Sequence, residues 1–166
     1  ELYSPIIFHS SSIAEDLKID VYLVGGFVRD LLLNKKLIDI DIMVEGDAEK
    51  FARELSKRLK INKIVEFDKF HTYRIPYNDC EIDVAEARKE TYESNSRKPN
   101  TVISASISED LGRRDFTVNA LAISLNKSNY GEIIDPFKGI QDLNDGILKT
   151  PKDPDVTFSD DPLRML

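Results

Sequence analysis

Thiols are nearly absent from this sequence: its 166 residues contain one cysteine, Cys80, and only two histidines, His9 and His71. A single thiol cannot close a disulfide within the chain, and no second one exists to complete a zinc site with the two imidazoles. Cys80 is therefore expected to be a small apolar strand residue. Long apolar runs are missing too. None approaches the roughly 20 residues a membrane helix needs, and no charged-then-apolar leader opens the chain, so a cytoplasmic protein is expected. Positive charge is in deficit, with 23 Lys and Arg against 30 Asp and Glu, a net charge of −7. Phosphate contacts need clustered cations, which argues against a broad nucleic-acid footprint here; any main grip on RNA is expected elsewhere. No repeat or low-complexity segment interrupts the pattern. The chain begins at Glu1 rather than methionine and stops at Leu166 inside what reads as a new helix, so part of a longer protein is expected.

What is present is ordinary for a globular protein, with 41% hydrophobic and 32% charged residues. The length supports one core and the start of a further element, and we expect one domain over 1–158 with 159–166 opening another helix. Residues 13–18 suggest a short helix. Val21-Tyr22-Leu23-Val24 reads as a buried strand running into Gly25-Gly26, and Phe27 to Leu33 as a helix opening, so the glycines occupy a strand-to-helix turn. From Leu37 to Val44 the alternation predicts a strand with Ile38, Ile40, Ile42 and Val44 on one face and Asp39, Asp41 and Met43 on the other. Asp47 should cap an amphipathic helix carrying Phe51, Leu55 and Leu59. Thr72 to Pro76 and Cys80 to Ala85 pair as a hairpin around Asn78-Asp79. Glu93 to Ser108 reads as a long loop, and Ser106 with Glu109 has capping-box spacing for a helix carrying Arg113 to Asn119. An apolar segment follows at Ala120 to Leu125, then a turn near Asn129 to Gly131 and Ile133-Ile134. Pro151 to Ser159 is expected to be extended, with a helix starting at Ser159-Asp160-Asp161-Pro162.

Asp39 and Asp41, one residue apart on a strand, project the same way and can share a cation such as Mg²⁺. An isolated Asp-x-Asp is more often a solvated strand edge. Asp83, on a second strand with apolar neighbours on the opposite face, adds a third carboxylate, the set two-metal phosphoryl transfer requires; alone it too would read as solvated. Gly25-Gly26 lets the backbone approach a ligand, with Arg29 one turn later able to reach the same triphosphate, although most Gly-Gly turns serve only the fold. It is neither a Walker loop nor a dinucleotide fingerprint. Arg113-Arg114-Asp115 with Asn119 could hold ribose and phosphate, with Phe116 packing inward; the plain alternative is a surface helix with an Arg–Asp pair.

Taken in order, Gly25-Gly26-Phe27-Val28-Arg29-Asp30, Asp39-Ile40-Asp41, Arg113 to Ala120, Asp135-Pro136-Phe137 with Gly139 and Asp142-Leu143, and Asp160-Asp161-Pro162-Leu163-Arg164 resemble the motifs of class II tRNA nucleotidyltransferases and bacterial poly(A) polymerases. Five ordered motifs over nearly the whole chain are far more specific than any one of them. The resemblance implies an α/β fold, a polymerase-beta-type palm with a mixed sheet of about five strands flanked by helices. The head would occupy 1–158 and a truncated neck helix 159–166. It further implies that Asp39 and Asp41 bind two Mg²⁺ ions, with Mn²⁺ as the alternative, and that Asp83 completes the triad. Gly25, Gly26 and Arg29 match the triphosphate motif; Arg113, Asp115 and Asn119 match the ribose and nucleotide motif. Asp161 and Arg164 fit the first part of a template that reads the base edge of CTP or ATP, its second arginine falling beyond Leu166. Phe27 stands where the family more often has a small residue, and Leu33-Asn34 replaces a usual glycine. The expected activity is addition of nucleotides to a tRNA or other RNA 3′ end with release of pyrophosphate. Poly(A) polymerase and CC-only or A-only addition are the alternatives, and a non-catalytic nucleotide-binding regulatory module is the rival from another class.

Overall fold

The computed structural model describes residues 3–67, 71–91 and 101–160. The chain runs α1 (Ser4–Leu17), β1 (Asp20–Val24), α2 (Gly26–Leu32), β2 (Ile40–Glu45), α3 (Ala48–Arg58), β3 (Val65–Phe67), β4 (Thr72–Tyr77), β5 (Cys80–Glu86), β6 (Arg88–Thr91) and β7 (Thr101–Ser104). It continues with α4 (Ile107–Leu111), a 3-10 turn at Thr117–Asn119, β8 (Ala122–Ser124), a second such turn at Lys127–Asn129, β9 (Ile133–Ile134), α5 (Gly139–Asp145) and α6 (Pro154–Asp160). Among the described residues, seven strands form one sheet in the order β3-β4-β5-β2-β1-β8-β9, and β6 and β7 pair separately. Only β2 and β5 run parallel; every other ladder is antiparallel. This is the expected mixed sheet flanked by helices. Its count exceeds five because two short strands, β3 and β9, extend its edges.

One face is covered by α1, α2 and α3. Ile6 and Ile13, Phe27 and Val28, and Phe51, Ala52 and Leu55 bury against Val21, Leu23, Ile40, Ile42, Val44, Ile75, Ile82 and Val84. The other face carries a smaller cluster in which Tyr22, Val24, Met43 and Ala122 meet Ile107 and Leu111 of α4. Because side chains alternate along a strand, Asp41 shares this second face with Met43, and the register sets Asp83 opposite Asp41. The carboxylates therefore lie on the less heavily covered side.

Several expectations need correction. The first helix spans Ser4–Leu17 rather than 13–18, because Ile6, Ser10, Ile13 and Ala14 form one buried stripe; packing outweighs the poor propensity of Ser10-Ser11-Ser12. The second strand begins at Ile40, not Leu37, where the ladder with Ile82 starts. The Leu37 carbonyl is taken by the Tyr3 hydroxyl at 2.6 Å, and Ile38 is 65% exposed rather than on the core face. Residues 101–104 are a strand, not loop, while 92–100 lie outside the described residues. The capping box at Ser106 and Glu109 forms, but its helix ends at Leu111 and does not carry Arg113 to Asn119. There the Asp115 carboxylate accepts from the Phe116 N–H at 2.7 Å and the Lys149 carbonyl accepts from the Thr117 N–H at 2.7 Å, which diverts the backbone from a helical ladder. The segment expected to be extended contains α6, since Asp153 accepts from the Asp155 N–H at 2.9 Å and Pro154 fills the first helical position. Asn34, in the place of the usual glycine, adopts a left-handed φ of 51°, a conformation asparagine tolerates better than most residues.

Candidate active site

The site grows from the end of β1. Gly25 has φ 70° and ψ −139°, a conformation open to glycine alone at this strand-to-helix turn. A Cβ there would stand 2.7 Å from Arg114 Nη1 and 3.4 Å from Asp41 Oδ2, so the turn, Asp41 and Arg114 converge on one point. The Gly25 N–H donates to the Leu121 carbonyl at 3.1 Å, and the Gly25 carbonyl accepts from the Val28 and Arg29 N–H groups at 3.1 and 3.2 Å, which starts α2 directly at the glycine turn.

Asp41 is half-buried and accepts no hydrogen bond among the described residues. Burial pushes its carboxyl above the usual range; Arg114 opposes the shift, and the charges of Asp83 and Asp39 add to it. Asp83 is its neighbour across the parallel ladder. Both Asp83 oxygens are held by Arg74, from Nε at 2.7 Å and Nη2 at 2.8 Å, and Arg74 also reaches Glu81 at 2.8 Å. These hydrogen bonds hold the Arg74 guanidinium more firmly protonated than usual. Asp39 lies before β2 rather than on it, exposed, with Oδ1 accepting from the Glu81 N–H at 3.0 Å. Among the described residues, no three His, Cys, Asp or Glu stand close enough together to hold an ion. Asp41 and Asp39 nevertheless retain carboxylate oxygens without donors, hard ligands of the kind a divalent cation takes, and Asp41 faces like charges that a cation would offset. The donor chemistry fits such an ion through Asp39 and Asp41, whereas Asp83 is engaged by Arg74.

A second constellation adjoins the first. Arg29 donates from Nε to Asp30 at 2.9 Å and from Nη1 to Asn119 Oδ1 at 2.6 Å; Asn119 in turn donates to Asp115 Oδ1 at 3.1 Å. The hydrogen bond from Arg29 holds the Asp30 carboxyl below its usual range. Asp115 and Asn119 thus meet as expected, but through a turn rather than along a helix. Arg29, Asp115, Phe116 and Asn119 line a cleft of about 400 Å³ whose other wall carries Ile147 and Leu148. Phe116, expected to pack inward, faces this cleft. Asp135 caps α5 through the Gly139 and Ile140 N–H groups, and Asp142 accepts from the Thr117 hydroxyl at 2.7 Å, so α5 props the turn that presents Asn119. A larger groove of about 570 Å³ on α1, lined by Phe8 and Tyr130 among others, holds none of these residues.

Arg113 does not face the cleft; it pairs with buried Asp110 at 2.8 Å. Asp161 and Arg164 lie outside the described residues. Arg74 was not among the expected site residues, and of the Arg113-Arg114 pair offered for phosphate the motif match singles out Arg113 rather than Arg114. Arg74 was accessible from the hairpin, since residues equidistant from Asn78-Asp79 oppose each other, placing 74 against 83. Nothing local in the sequence announces that Arg114 meets Gly25.

Comparison with known proteins fits this arrangement. Residues 21–149 match the family described as Poly A polymerase head domain. The A-adding tRNA nucleotidyltransferase of Aquifex aeolicus is 43% identical over 145 residues, 87% of this chain and 17% of that protein. The CCA-adding enzyme of Lactobacillus helveticus is 35% identical over 92% of this chain and 36% of its own length. A solved tRNA nucleotidyltransferase complexed with a primer tRNA and an incoming ATP analog superposes with TM-score 0.80 and 40% identity, over 94% of this chain and 42% of that one. The chain thus spans only 17% to 36% of the length of these two curated relatives. With a family match across residues 21–149, most of its length, this chain belongs to the Poly A polymerase head-domain family.

Proposed function

We propose that this head catalyses template-independent addition of nucleotides from CTP or ATP to the 3′ end of tRNA, releasing pyrophosphate. The observation that carries it is the convergence of Asp41, beside Asp83, with the Gly25 turn and Arg114 at the lip of one sheet. The RNA 3′-hydroxyl attacks the α-phosphate in line; the new O3′–P bond forms as the bond to the β-phosphate bridge breaks. Asp39 and Asp41 would hold divalent ions, Mg²⁺ or Mn²⁺, which lower the pKa of the attacking hydroxyl and neutralise the triphosphate. Asp83, oriented by Arg74, completes the acidic triad. Gly25, Gly26 and Arg29 receive the triphosphate, and Asp115 and Asn119 the ribose. Asp161 and Arg164 belong to the base-reading template at the start of the neck, 159–166, with the head at 1–158. Catalysis comes from positioning and electrostatics, with no covalent enzyme intermediate.

A second reading, A-only addition, draws on the higher identity to the A-adding relative, 43% against 35% for the CCA-adding one. Full-length protein is incubated with tRNA lacking CCA, and with tRNA ending in CC, and each NTP separately. Extension of both substrates supports the CCA reading, and extension of the CC-ended one alone supports the A-only reading. Tight metal-dependent NTP binding without pyrophosphate release would leave a regulatory module instead.

A further inference from the structure

Asp110 is the one charged residue with a fully buried side chain among the described ion pairs, and the mechanism above gives it no task. It sits on α4 between Ile107 and Leu111, which pack into the second core cluster. Its two oxygens are divided. Oδ1 takes Arg113 through both Nε at 2.9 Å and Nη2 at 2.8 Å, and Oδ2 pairs more loosely with Arg114 Nη2 at 3.5 Å. Arg114 reaches past it until Nη1 lies at the Gly25 turn, beside Asp41 Oδ2, while its Nε is buried without a hydrogen-bond partner. A guanidinium with one nitrogen unsatisfied keeps this pose only if something else fixes it. The helix that carries Asp110 is itself tied to the carboxylate strand, because Glu45 of β2 accepts from the Ile107 N–H.

We propose that Asp110 is a positioning residue that aims the Arg114 guanidinium at the phosphate position between Gly25 and Asp41. The loop closes on itself: β2 anchors α4 through Glu45, α4 supplies Asp110, Asp110 holds Arg114, and Arg114 returns to Asp41 on β2. Arg114 thereby contributes positive charge beside the metal-binding carboxylate without collapsing onto it, leaving the carboxylate open to an ion. The proposal rests on the nucleotide-transfer reading for its ligand, a nucleoside triphosphate.

The test is a double-mutant cycle on the full-length protein with Asp110→Asn, Arg114→Ala and the pair. Two readouts are taken: kcat and KM for ATP with a tRNA ending in CC, and binding of a non-hydrolysable ATP analogue with Mg²⁺ by calorimetry. Each single substitution is expected to weaken nucleotide binding and kcat/KM by about ten- to a hundredfold, the usual weight of a hydrogen bond to a charged group. The double variant should be no worse than the weaker single one, since Asp110 acts through Arg114. Losses that multiply would mean that Asp110 serves the fold alone, and the proposal would be overturned. Arg114→Lys gives a second test should Asp110→Asn not fold: an ammonium cannot bridge Asp110 and the glycine turn together, so it should lose as much as Arg114→Ala, and wild-type behaviour overturns the proposal. Wild-type protein that binds the analogue in a coupled cycle but transfers nothing sinks the functional reading and leaves the positioning role standing. Wild-type protein that neither binds nor transfers sinks both.

Discussion

Replacing Gly139 with alanine tests whether α5 fixes the nucleotide cleft. A Cβ at this position would stand 2.1 Å from the Thr117 carbonyl oxygen, 2.8 Å from its carbon and 3.1 Å from Leu121 Cδ2. Ordinary contact begins near 3.4 Å, so the backbones must separate by about 1.3 Å, and no flexible side chain can absorb the shift. Thr117 opens the 3-10 turn whose last residue is Asn119, the partner of Arg29 and Asp115. Overpacking of this kind costs about 1–3 kcal/mol, which for a chain of this size lowers Tm by roughly 2–12 °C. A misplacement of about 1 Å at a reacting site can cost about a hundredfold, and we expect kcat/KM for ATP to fall by that order. The assay pairs thermal melts with steady-state nucleotide incorporation by full-length protein. Gly131→Ala is the control for backbone strain alone: its φ of 80° is unsuited to alanine, whereas Gly139 has no left-handed φ, and a Cβ at 131 meets nothing within 4 Å. A control-sized loss of about 1 kcal/mol in both variants, with unchanged KM, would refute the close-approach argument.

Two further substitutions separate charge from shape. Asp41→Asn should abolish nucleotide transfer while raising the Tm of metal-free protein, because burial and the like charges of Asp83 and Asp39 disfavour its ionised form; a lower Tm in calorimetry would show that the carboxylate is net stabilising. Arg74→Met should change stability by no more than about 1 kcal/mol, since that pair is partly exposed, yet lower kcat about tenfold by freeing the Asp83 carboxylate. Unchanged kcat in pre-steady-state measurements would remove Arg74 from the site.

The parts of the fold legible in the sequence were those decided locally. Val21 to Val24, the Asp47 cap, the Asn78-Asp79 hairpin and the Ser106–Glu109 capping box all formed where periodicity and side-chain hydrogen bonding set them. The misread parts were decided at long range. Ser10-Ser11-Ser12 became helical because Ser10 lies in the stripe that packs α1 into the core, and Arg113 to Asn119 left the helix because Lys149, far along the chain, took the Thr117 N–H. The site divides in the same way. The Asp41–Asp83 pairing follows from two alternating strands, but Arg113, which motif reading placed on the nucleotide, turns to Asp110, and its neighbour Arg114 takes the position beside the glycine turn.

That exchange explains how the sheet tolerates its acidic patch. Asp39, Asp41 and Asp83 bring three negative charges to adjoining positions, and Arg74 and Arg114 are the cations whose charges reach Asp41. Arg74 is committed to Asp83 and Glu81, and Arg114 is restrained by Asp110. Were either arginine free to close on Asp41, its carboxylate would be satisfied within the protein and the fold would gain stability. It would also lose the open oxygens that make it useful to a cation. Asp41 is left with charge nearby but no donor in contact, a destabilised arrangement that persists because the strands beneath it are anchored by a core of buried isoleucine and valine on the opposite face. Stability and chemistry are thus assigned to opposite faces of the same β2 and β5, and the two-residue period of a strand keeps them apart.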